Sequence, residues 1–272
     1  SRNSFMIKRM EDLADRTVWA MGEQLKCGDF VPFVFEHKFN MEVGDGDRKQ
    51  LMSGTIDRVD ICENGTDVYV RIIDYKTGKK DFNIVKTYYG IDIQLMVYME
   101  AAMKLVAKMR PGKNVIPAGV FYYNISDPIV SATTESAEEI EDKIKGELRL
   151  KGMVNSDKDI AEKMDNTGGT SLNIPVSRKA DGGFDSRRSK VMNTEQFNML
   201  GRFVDVRAVD TADRIAGGDI RRSPYKDGQF SSCDRCPYGA VCGFSVDLPG
   251  CNYRKLKKFD DEVLWNNIKE GV

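Results

Sequence analysis

The stretch SGTIDRVDICENGTDVYVRIIDYKTGKK, residues 53–80, decides the fold of this chain. It predicts two β-strands around Asn64-Gly65, a pair that tolerates the positive φ angles of a two-residue type I′ turn. With that turn, Asp57 faces Ile72 on the opposite strand, and side chains alternate between the two faces of the hairpin. Asp57 and Asp74 are then diagonal neighbours, about 7–8 Å apart at the backbone, on an otherwise apolar face.

Two carboxylates so placed indicate a metal site. Mg²⁺ binds carboxylate oxygens at about 2.1 Å and keeps several waters, so Asp57, Asp74 and a backbone carbonyl such as that of Tyr75 would suffice. Lys76 projects from the same face, where its ammonium could activate water or stabilise charge on a phosphate under attack. The alternative for a lone Asp-x-Lys is an ordinary surface ion pair. Carboxylates on a buried face are costly without a metal or cation, which favours the metal site.

Composition limits the classes of function. The 272 residues are 41% hydrophobic and carry a formal net charge of −1, which suits a globular fold and restricts nucleic-acid binding to local basic patches. A single histidine, His37, leaves almost no material for histidine-dependent triads or zinc sites. No apolar run reaches the roughly 18 residues of a membrane-spanning helix, and no signal peptide opens the chain. We therefore expect a cytoplasmic protein without a membrane partner.

The order of predicted elements gives the fold class. An amphipathic helix over residues 3–26 precedes a strand in FVPFVFEHKFNMEV, and the hairpin is followed by a helix in GIDIQLMVYMEAAMKLVAKM and a buried strand in VIPAGVFYYNISDPIV. This order predicts an α/β domain with a mixed central sheet flanked by helices. We expect that domain to span residues 1–230, with a long surface excursion at residues 151–193 that is rich in Gly, Asn, Asp and Ser.

The remaining segment, residues 231–272, is predicted to hold a cysteine cluster and a C-terminal helix. Cys233, Cys236 and Cys242 have a Cys-x2-Cys-x5-Cys spacing, which in a reducing compartment usually indicates metal binding. Zinc and an iron–sulfur cluster both commonly take four ligands. Cys251 is the nearest fourth candidate, and burial as apolar cysteines is the alternative.

Five motifs together resemble a known family: GTIDRVD, IIDYKTG, GIDIQLMVY, PAGVFYYNISDP and CDRCPYGAVCGF. In this order they are similar to the C-terminal nuclease domain of the AddB-type subunits of bacterial AddAB helicase–nucleases, a RecB-like branch of the PD-(D/E)xK nucleases. The resemblance covers nearly the whole chain. It implies a restriction-endonuclease-like fold.

The resemblance also implies roles for individual residues. Asp57 and Asp74 would be the metal-binding acids and Lys76 the motif lysine, while Gln94 and Tyr98 match a Gln-x3-Tyr motif on one helix face. Without the family, Tyr98 could equally be a packing residue between helix and sheet. Glu36 corresponds less securely to an acid on the preceding strand.

For the cysteines, the resemblance implies three ligands of a [4Fe–4S] cluster in Cys233, Cys236 and Cys242. The fourth cysteine of the family comes from far upstream, before the nuclease motifs, and Cys251 stands where a non-cysteine is expected. We therefore expect this chain to be a fragment of a longer subunit, in which the cluster would be complete.

The function so implied is a DNA exonuclease that uses Mg²⁺ or Mn²⁺ and processes double-strand breaks for recombination in a bacterial cytoplasm. Its partners would be DNA, as duplex ends and single strands, and an AddA-type helicase–nuclease subunit. One alternative is a Cas4-like nuclease of CRISPR adaptation, which shares the acids and the cysteine-bound cluster. The other is a non-catalytic, metal-stapled module for DNA-end binding or assembly, against which the intact Asp57, Asp74 and Lys76 argue.

Overall fold

A computed structural model describes residues 2–43, 49–131 and 136–272. The helices are α1 Arg2–Lys26, α2 Ile84–Tyr88, α3 Gln94–Met109, α4 Ala137–Glu147, α5 Lys158–Met164, α6 Thr194–Ala216, α7 Gly239–Cys242 and α8 Asp261–Glu270. The strands are β1 Val31–Val43, β2 Gln50–Asn64, β3 Asp67–Lys76, β4 Asn114–Asn124, β5 Lys151–Asn155, β6 Val191–Met192, β7 Tyr225–Asp227, β8 Phe230–Ser231 and β9 Arg254–Lys255. Within the described ranges, no helix is long and apolar enough to cross a membrane.

Six strands form the central sheet in the order β1-β2-β3-β4-β5-β6. β1, β2 and β3 are successive antiparallel neighbours, β3 pairs in parallel with β4, β4 is antiparallel to β5, and β5 is parallel to β6. The parallel pair of β3 and β4 requires a crossover connection, which α2 and α3 supply. The predicted mixed α/β sheet is confirmed.

The two faces of the sheet bury separate apolar cores. On one face, Val59 and Ile72 pack with Leu95 of α3, Phe203 of α6 and Leu264 of α8. The other face packs against α1 and α5. The sheet is therefore the middle layer of three, as expected when both of its faces are apolar.

The hairpin register differs from the predicted one. The two turn residues are Gly65 and Thr66, and Asn64 pairs with Asp67, so the turn lies one residue later than predicted. Gly65 supplies the positive φ of 59°. Asn64 stays in β2 because its side-chain amide donates to the Tyr69 hydroxyl at 3.2 Å and to an Asp159 carboxylate oxygen at 3.1 Å.

This later turn changes which residues face each other but not which face they occupy. Arg58 pairs with Ile73, so the next position sets Asp57 opposite Asp74 rather than on its diagonal. Alternation is also interrupted in β2, because Ile56 and Val59 pack in the same core. On the neighbouring strand, Glu36 has a φ of 48° at this point, a backbone angle uncommon outside glycine.

Residues 151–193, predicted as a long surface excursion, include β5, α5 and β6. Val154, Ile174 and Val176 of this segment are buried in the core on the α1 face, whereas residues 166–170 are exposed. The polar residues of this segment stabilise the fold from inside: buried Asp165 accepts hydrogen bonds from Ser171 at 2.5 Å and from Asn173 at 3.0 Å. Part of this polar segment is therefore a hydrogen-bonded loop that packs on the core.

A second sheet lies at the predicted boundary after residue 230. It has the order β8-β7-β9, and its strand β8, Phe230–Ser231, includes the residues on both sides of that boundary. The C-terminal helix α8 packs Leu264 and Ile268 into the core with α3 and α6. The cysteine segment is therefore an insertion between elements of the main domain.

Candidate active site

Asp57 and Asp74 come together where β2 and β3 pair. Asp57 Oδ2 accepts a hydrogen bond of 2.7 Å from the backbone N–H of Tyr75, which fixes the Asp57 carboxylate beside Asp74. The structure thus brings together the two acids that the sequence predicted, through a direct pairing rather than a diagonal one.

Helix α3 supplies the other side of this group. Its first residue, Gln94, donates from Nε2 to Asp74 Oδ1 at 3.0 Å and to the Tyr98 hydroxyl at 2.9 Å. Gln94 Oε1 accepts a hydrogen bond of 3.1 Å from Lys76 Nζ. Because residues four apart share a helix face, the spacing of Gln94 and Tyr98 lets one amide connect the acid, the lysine and the tyrosine.

Asp74 is buried, with only 2% of its surface exposed. Burial raises the pKa of its carboxyl above the ordinary value; the Lys76 ammonium opposes this, and the Asp57 carboxylate adds to it. Asp74 Oδ2 lies 2.6 Å from Lys76 Nζ yet forms no hydrogen bond of normal geometry with the described residues. The distance supports an ion pair, while the geometry leaves that oxygen able to accept a further partner.

Tyr122, Lys80 and Asp92 join the site although the sequence did not indicate them. Lys76 Nζ and Lys80 Nζ lie 5.6 Å and 5.5 Å from the centroid of the Tyr122 ring. The Tyr122 hydroxyl donates to Asp92 Oδ1 at 2.9 Å, and Lys80 Nζ lies 2.8 Å from Asp92 Oδ2. Burial and the Asp92 carboxylate raise the pKa of the Tyr122 hydroxyl. Asp92 stands two residues before Gln94 in GIDIQ.

Glu36 lies at the edge of this arrangement. Phe35 pairs with Arg58 and His37 with Ile56, which sets Glu36 opposite Asp57. Its side chain is exposed and does not enter the hydrogen-bond group around Asp74. Among the described residues, no three His, Cys, Asp or Glu side chains come close enough to hold a metal ion.

The donors at Asp57 and Asp74 nevertheless suit a hard divalent cation. Mg²⁺ needs as few as one or two carboxylates because it retains waters, and Asp74 Oδ2 is a buried oxygen lacking a hydrogen bond within the described part of the chain. Asp57 has a second oxygen, Oδ1, beyond the one held by Tyr75. These two acids fit the predicted ion, and the Tyr75 carbonyl stays a predicted ligand.

The three predicted cysteine ligands lie within one short segment, residues 233–242. Cys236 N–H donates to the Cys233 carbonyl at 3.1 Å in a tight turn, Cys242 ends α7, and Cys251 lies on a later loop. Cys236 is exposed and the other three are partly buried. Among the described residues, these cysteines are not part of a group of three ligand side chains close enough to hold a metal ion, and the [4Fe–4S] cluster at Cys233, Cys236 and Cys242 stays a prediction.

Comparison with known proteins agrees with this geometry. The sequence profile of the PD-(D/E)XK nuclease superfamily matches residues 1–243. The chain is 35% identical over its whole length to a Clostridium botulinum protein that is named as a subunit of an ATP-dependent helicase/deoxyribonuclease. Similar proteins of the same name occur in Thermoanaerobacter, at 34% identity, and in Clostridium acetobutylicum, at 35%.

In each of these comparisons the chain spans 24% of the relative's length. The resemblance to AddB-type nuclease domains predicted from the five motifs is thereby confirmed. The match to the profile extends over most of the chain and includes all the residues around Asp74. This chain belongs to the PD-(D/E)XK nuclease superfamily.

Proposed function

We propose that this chain hydrolyses phosphodiester bonds of DNA with Mg²⁺ or Mn²⁺ at Asp57 and Asp74. The observation that carries the proposal is the hydrogen-bonded group in which Gln94 connects Asp74, Lys76 and Tyr98. A purely structural ion pair between Asp74 and Lys76 would not require the Gln94 amide to form hydrogen bonds with Asp74, Lys76 and Tyr98 together. Asp74 is also buried at a cost that a bound cation would offset.

Asp57 and Asp74 would hold the ion, with the Tyr75 carbonyl as a third ligand. When bound, Mg²⁺ supplies positive charge to the phosphate oxygens and makes water more acidic. Asp57 is oriented for this by the Tyr75 N–H, and Asp74 by the Gln94 amide. Both carboxylates are therefore held in place before the ion arrives, which reduces the reorganisation needed on binding.

In hydrolysis, a water oxygen forms a bond to phosphorus while the bond to one sugar oxygen breaks. The water loses a proton, and the departing sugar oxygen gains one, so one phosphate monoester and one hydroxyl result. Lys76 lies beside Asp74 with its ammonium oriented by Gln94 Oε1. We assign Lys76 to stabilise the negative charge that develops on the phosphate oxygens.

We further propose that the reaction serves double-strand-break processing for recombination. The similar proteins are named as a subunit of an ATP-dependent helicase and deoxyribonuclease, which supports a partner subunit of the AddA type and exonuclease action on DNA ends. A [4Fe–4S] cluster at Cys233, Cys236 and Cys242 would need a fourth ligand and a rearrangement of these thiolates. A cytoplasmic location stays a prediction.

Digestion of end-labelled single-stranded and duplex DNA by this chain tests the central proposal. We expect cleavage with Mg²⁺ or Mn²⁺, none with a chelator, and a loss of at least about 100-fold in Asp74→Ala. Asp67→Asn is the matched control, because Asp67 lies at the other end of β3 and bonds only with Asn114 among the described side chains. Equal cleavage by wild type and Asp74→Ala would overturn the proposal, and DNA binding without cleavage would favour the non-catalytic alternative.

A further inference from the structure

A basic cleft of about 620 Å³ lies next to the site, on the side away from Asp57. Among the described residues, five cations line it: Lys79, Lys80, Arg149, Lys151 and Lys190. Two carboxylates, those of Asp81 and Glu147, also line it, so within the described lining the cations exceed the acids by three. The cleft begins at Thr77, directly after Lys76, and is therefore continuous with the end of β3.

The sheet register relates this cleft to the metal-binding acids. Asp74 pairs with Tyr122 on β4, and Tyr122 pairs with Lys151 on β5, so the three residues form one row across three strands. Two strand spacings put the Lys151 backbone about 10 Å from that of Asp74. Tyr122 and Met153 pack in the core on the α3 face, and alternation along β5 sets Lys151 on that same face.

Some cations of the cleft form ion pairs with carboxylates and others do not. Lys80 pairs with Asp92, and Lys190 pairs with Asp81. Arg149 and Lys151 have no carboxylate within 4.0 Å among the described residues, and Arg149 Nε is buried without a hydrogen-bond partner there. Burial, and then the nearby Arg149, lower the pKa of the Lys151 ammonium. Two adjacent cations so placed are stabilised by an anion between them.

The loop that forms one wall is held firmly. Asn124 Oδ1 accepts from the Lys80 N–H at 3.0 Å, and Asn124 Nδ2 donates to the Lys80 carbonyl at 3.0 Å. The Ile125 N–H donates to the Lys76 carbonyl at 2.8 Å. These bonds tie residues 77–80 to the end of β4, so the wall keeps its distance from Arg149 and Lys151.

We propose that Arg149 and Lys151 in this cleft bind a backbone phosphate of the DNA strand, next to the linkage that is cut at Asp57 and Asp74. This inference rests on the proposed function, because it assigns the cleft to the same substrate strand. The described residues that line the cleft include no aromatic side chain and hence no platform for base stacking. The contact therefore positions the strand without reading its sequence.

The decisive experiment measures binding and cleavage of single-stranded oligonucleotides by this chain and by Lys151→Met. We expect binding, read by fluorescence anisotropy in a chelator, to weaken about five- to tenfold. The slope of log affinity against log salt should fall by about 0.7 for the one lost phosphate contact. In cleavage, KM should rise with kcat nearly unchanged, since the contact is equal in ground and transition states.

Oligonucleotides with a single uncharged methylphosphonate then locate the phosphate. A methylphosphonate at one position near the cleaved linkage should weaken binding to the wild type. The same substitution should cause no further loss of affinity in Lys151→Met. Lys151→Arg should restore the affinity and the salt slope, which also separates loss of charge from misfolding. Lys163→Met is the matched control, because Lys163 is a partly buried cation of α5 on the opposite face of the sheet.

Unchanged affinity and salt slope in both Lys151→Met and Arg149→Met would overturn the inference. That result would leave the proposed function standing if Asp74→Ala still abolished cleavage. Conversely, failure of the wild type to cleave DNA would overturn the proposed function, while the anisotropy measurements would still decide whether the cleft binds phosphate. If methylphosphonates weaken binding of Lys151→Met and wild type equally at every position, the cleft is not the phosphate site.

Discussion

The backbone N–H of Tyr75 donates to Asp57 Oδ2 at 2.7 Å, so the residue after Asp74 on β3 orients the carboxylate opposite Asp74. This hydrogen bond engages Oδ2 of Asp57, and it thereby orients the other carboxylate oxygen, Oδ1. Asp74 is held in the same way by Gln94. Each acid keeps one oxygen in a hydrogen bond with the fold and one for a cation, as expected for a preorganised divalent site.

Metal binding should depend on pH through Asp74. Because burial raises its carboxyl pKa, Asp74 keeps a proton to higher pH than an ordinary aspartate, and an ion must displace that proton. We expect Mg²⁺ or Mn²⁺ affinity, measured by calorimetry, to fall as pH decreases toward and below the raised pKa, by up to about tenfold per pH unit. Asp74→Ala should bind the ion much more weakly at every pH.

The raised pKa of Asp74 also predicts how the stability of the fold depends on pH. The ionised carboxylate is the form that burial disfavours, so folded Asp74 contributes its stability at low pH and loses it as pH rises through the raised pKa. Added Mg²⁺ should offset that loss and raise the unfolding temperature more at pH 8 than at pH 5. Equal metal affinity in wild type and Asp74→Ala would exclude a shared site.

Lys76→Ala should abolish cleavage while leaving DNA-end binding largely intact. Lys76 is assigned to charge that develops in the transition state, so its removal should lower kcat by about 100-fold or more with a small effect on affinity. The measurement is digestion of end-labelled duplex DNA by this chain, together with its affinity for the same DNA ends in a chelator.

The control is Lys86→Ala, which removes a lysine that pairs with Asp227 outside this site. Full cleavage is expected from that variant. If Lys76→Ala retained wild-type kcat, Lys76 would have no part in the chemistry and its pairing with Asp74 would be structural.

The sequence predicted the face that carries Asp57, Asp74 and Lys76, but not their register. Alternation depends on local pattern alone, whereas the register depends on Asn64 bonding to Tyr69 and to Asp159, which is 95 positions away. Helical spacing predicted that Gln94 and Tyr98 share one face of α3, whereas their assignment to the site came from the resemblance. Tyr122 and Lys151 were not, since their row with Asp74 depends on strand pairings that single-sequence patterns do not specify.

Iron binding by this chain should be low. Three thiolates cannot close a site that takes four, and among the described residues no three His, Cys, Asp or Glu side chains come close enough to hold a metal ion. We expect anaerobically purified protein to carry well below the roughly four irons of a [4Fe–4S] cluster and to lack absorbance near about 400 nm.

Cys251→Ser tests the nearest rival ligand. It should change nothing in this chain, because Cys251 lies on a separate loop from Cys233 and Cys236. A protein with about four irons per molecule that loses them in Cys251→Ser would make Cys251 the fourth ligand and contradict the need for an upstream cysteine.

A carboxyl pair between α3 and α6 should make the fold less stable at alkaline pH. Burial, together with a hydrogen bond to Glu100, raises the pKa of Asp205 to about 7, and the neighbouring Lys104 only partly opposes this. A folded-state pKa above the unfolded value gives stability that is complete below about pH 4 and is lost as pH rises through about 7. Asp205→Asn cannot ionise, so its free energy of unfolding at pH 8 should exceed that of wild type by on the order of 1 kcal/mol. The difference should be smaller at pH 5. Urea unfolding measures both, and the variant should have the higher urea midpoint at pH 8. Wild type and Asp205→Asn with the same pH dependence of the urea midpoint would show that Asp205 and Glu100 do not share a proton.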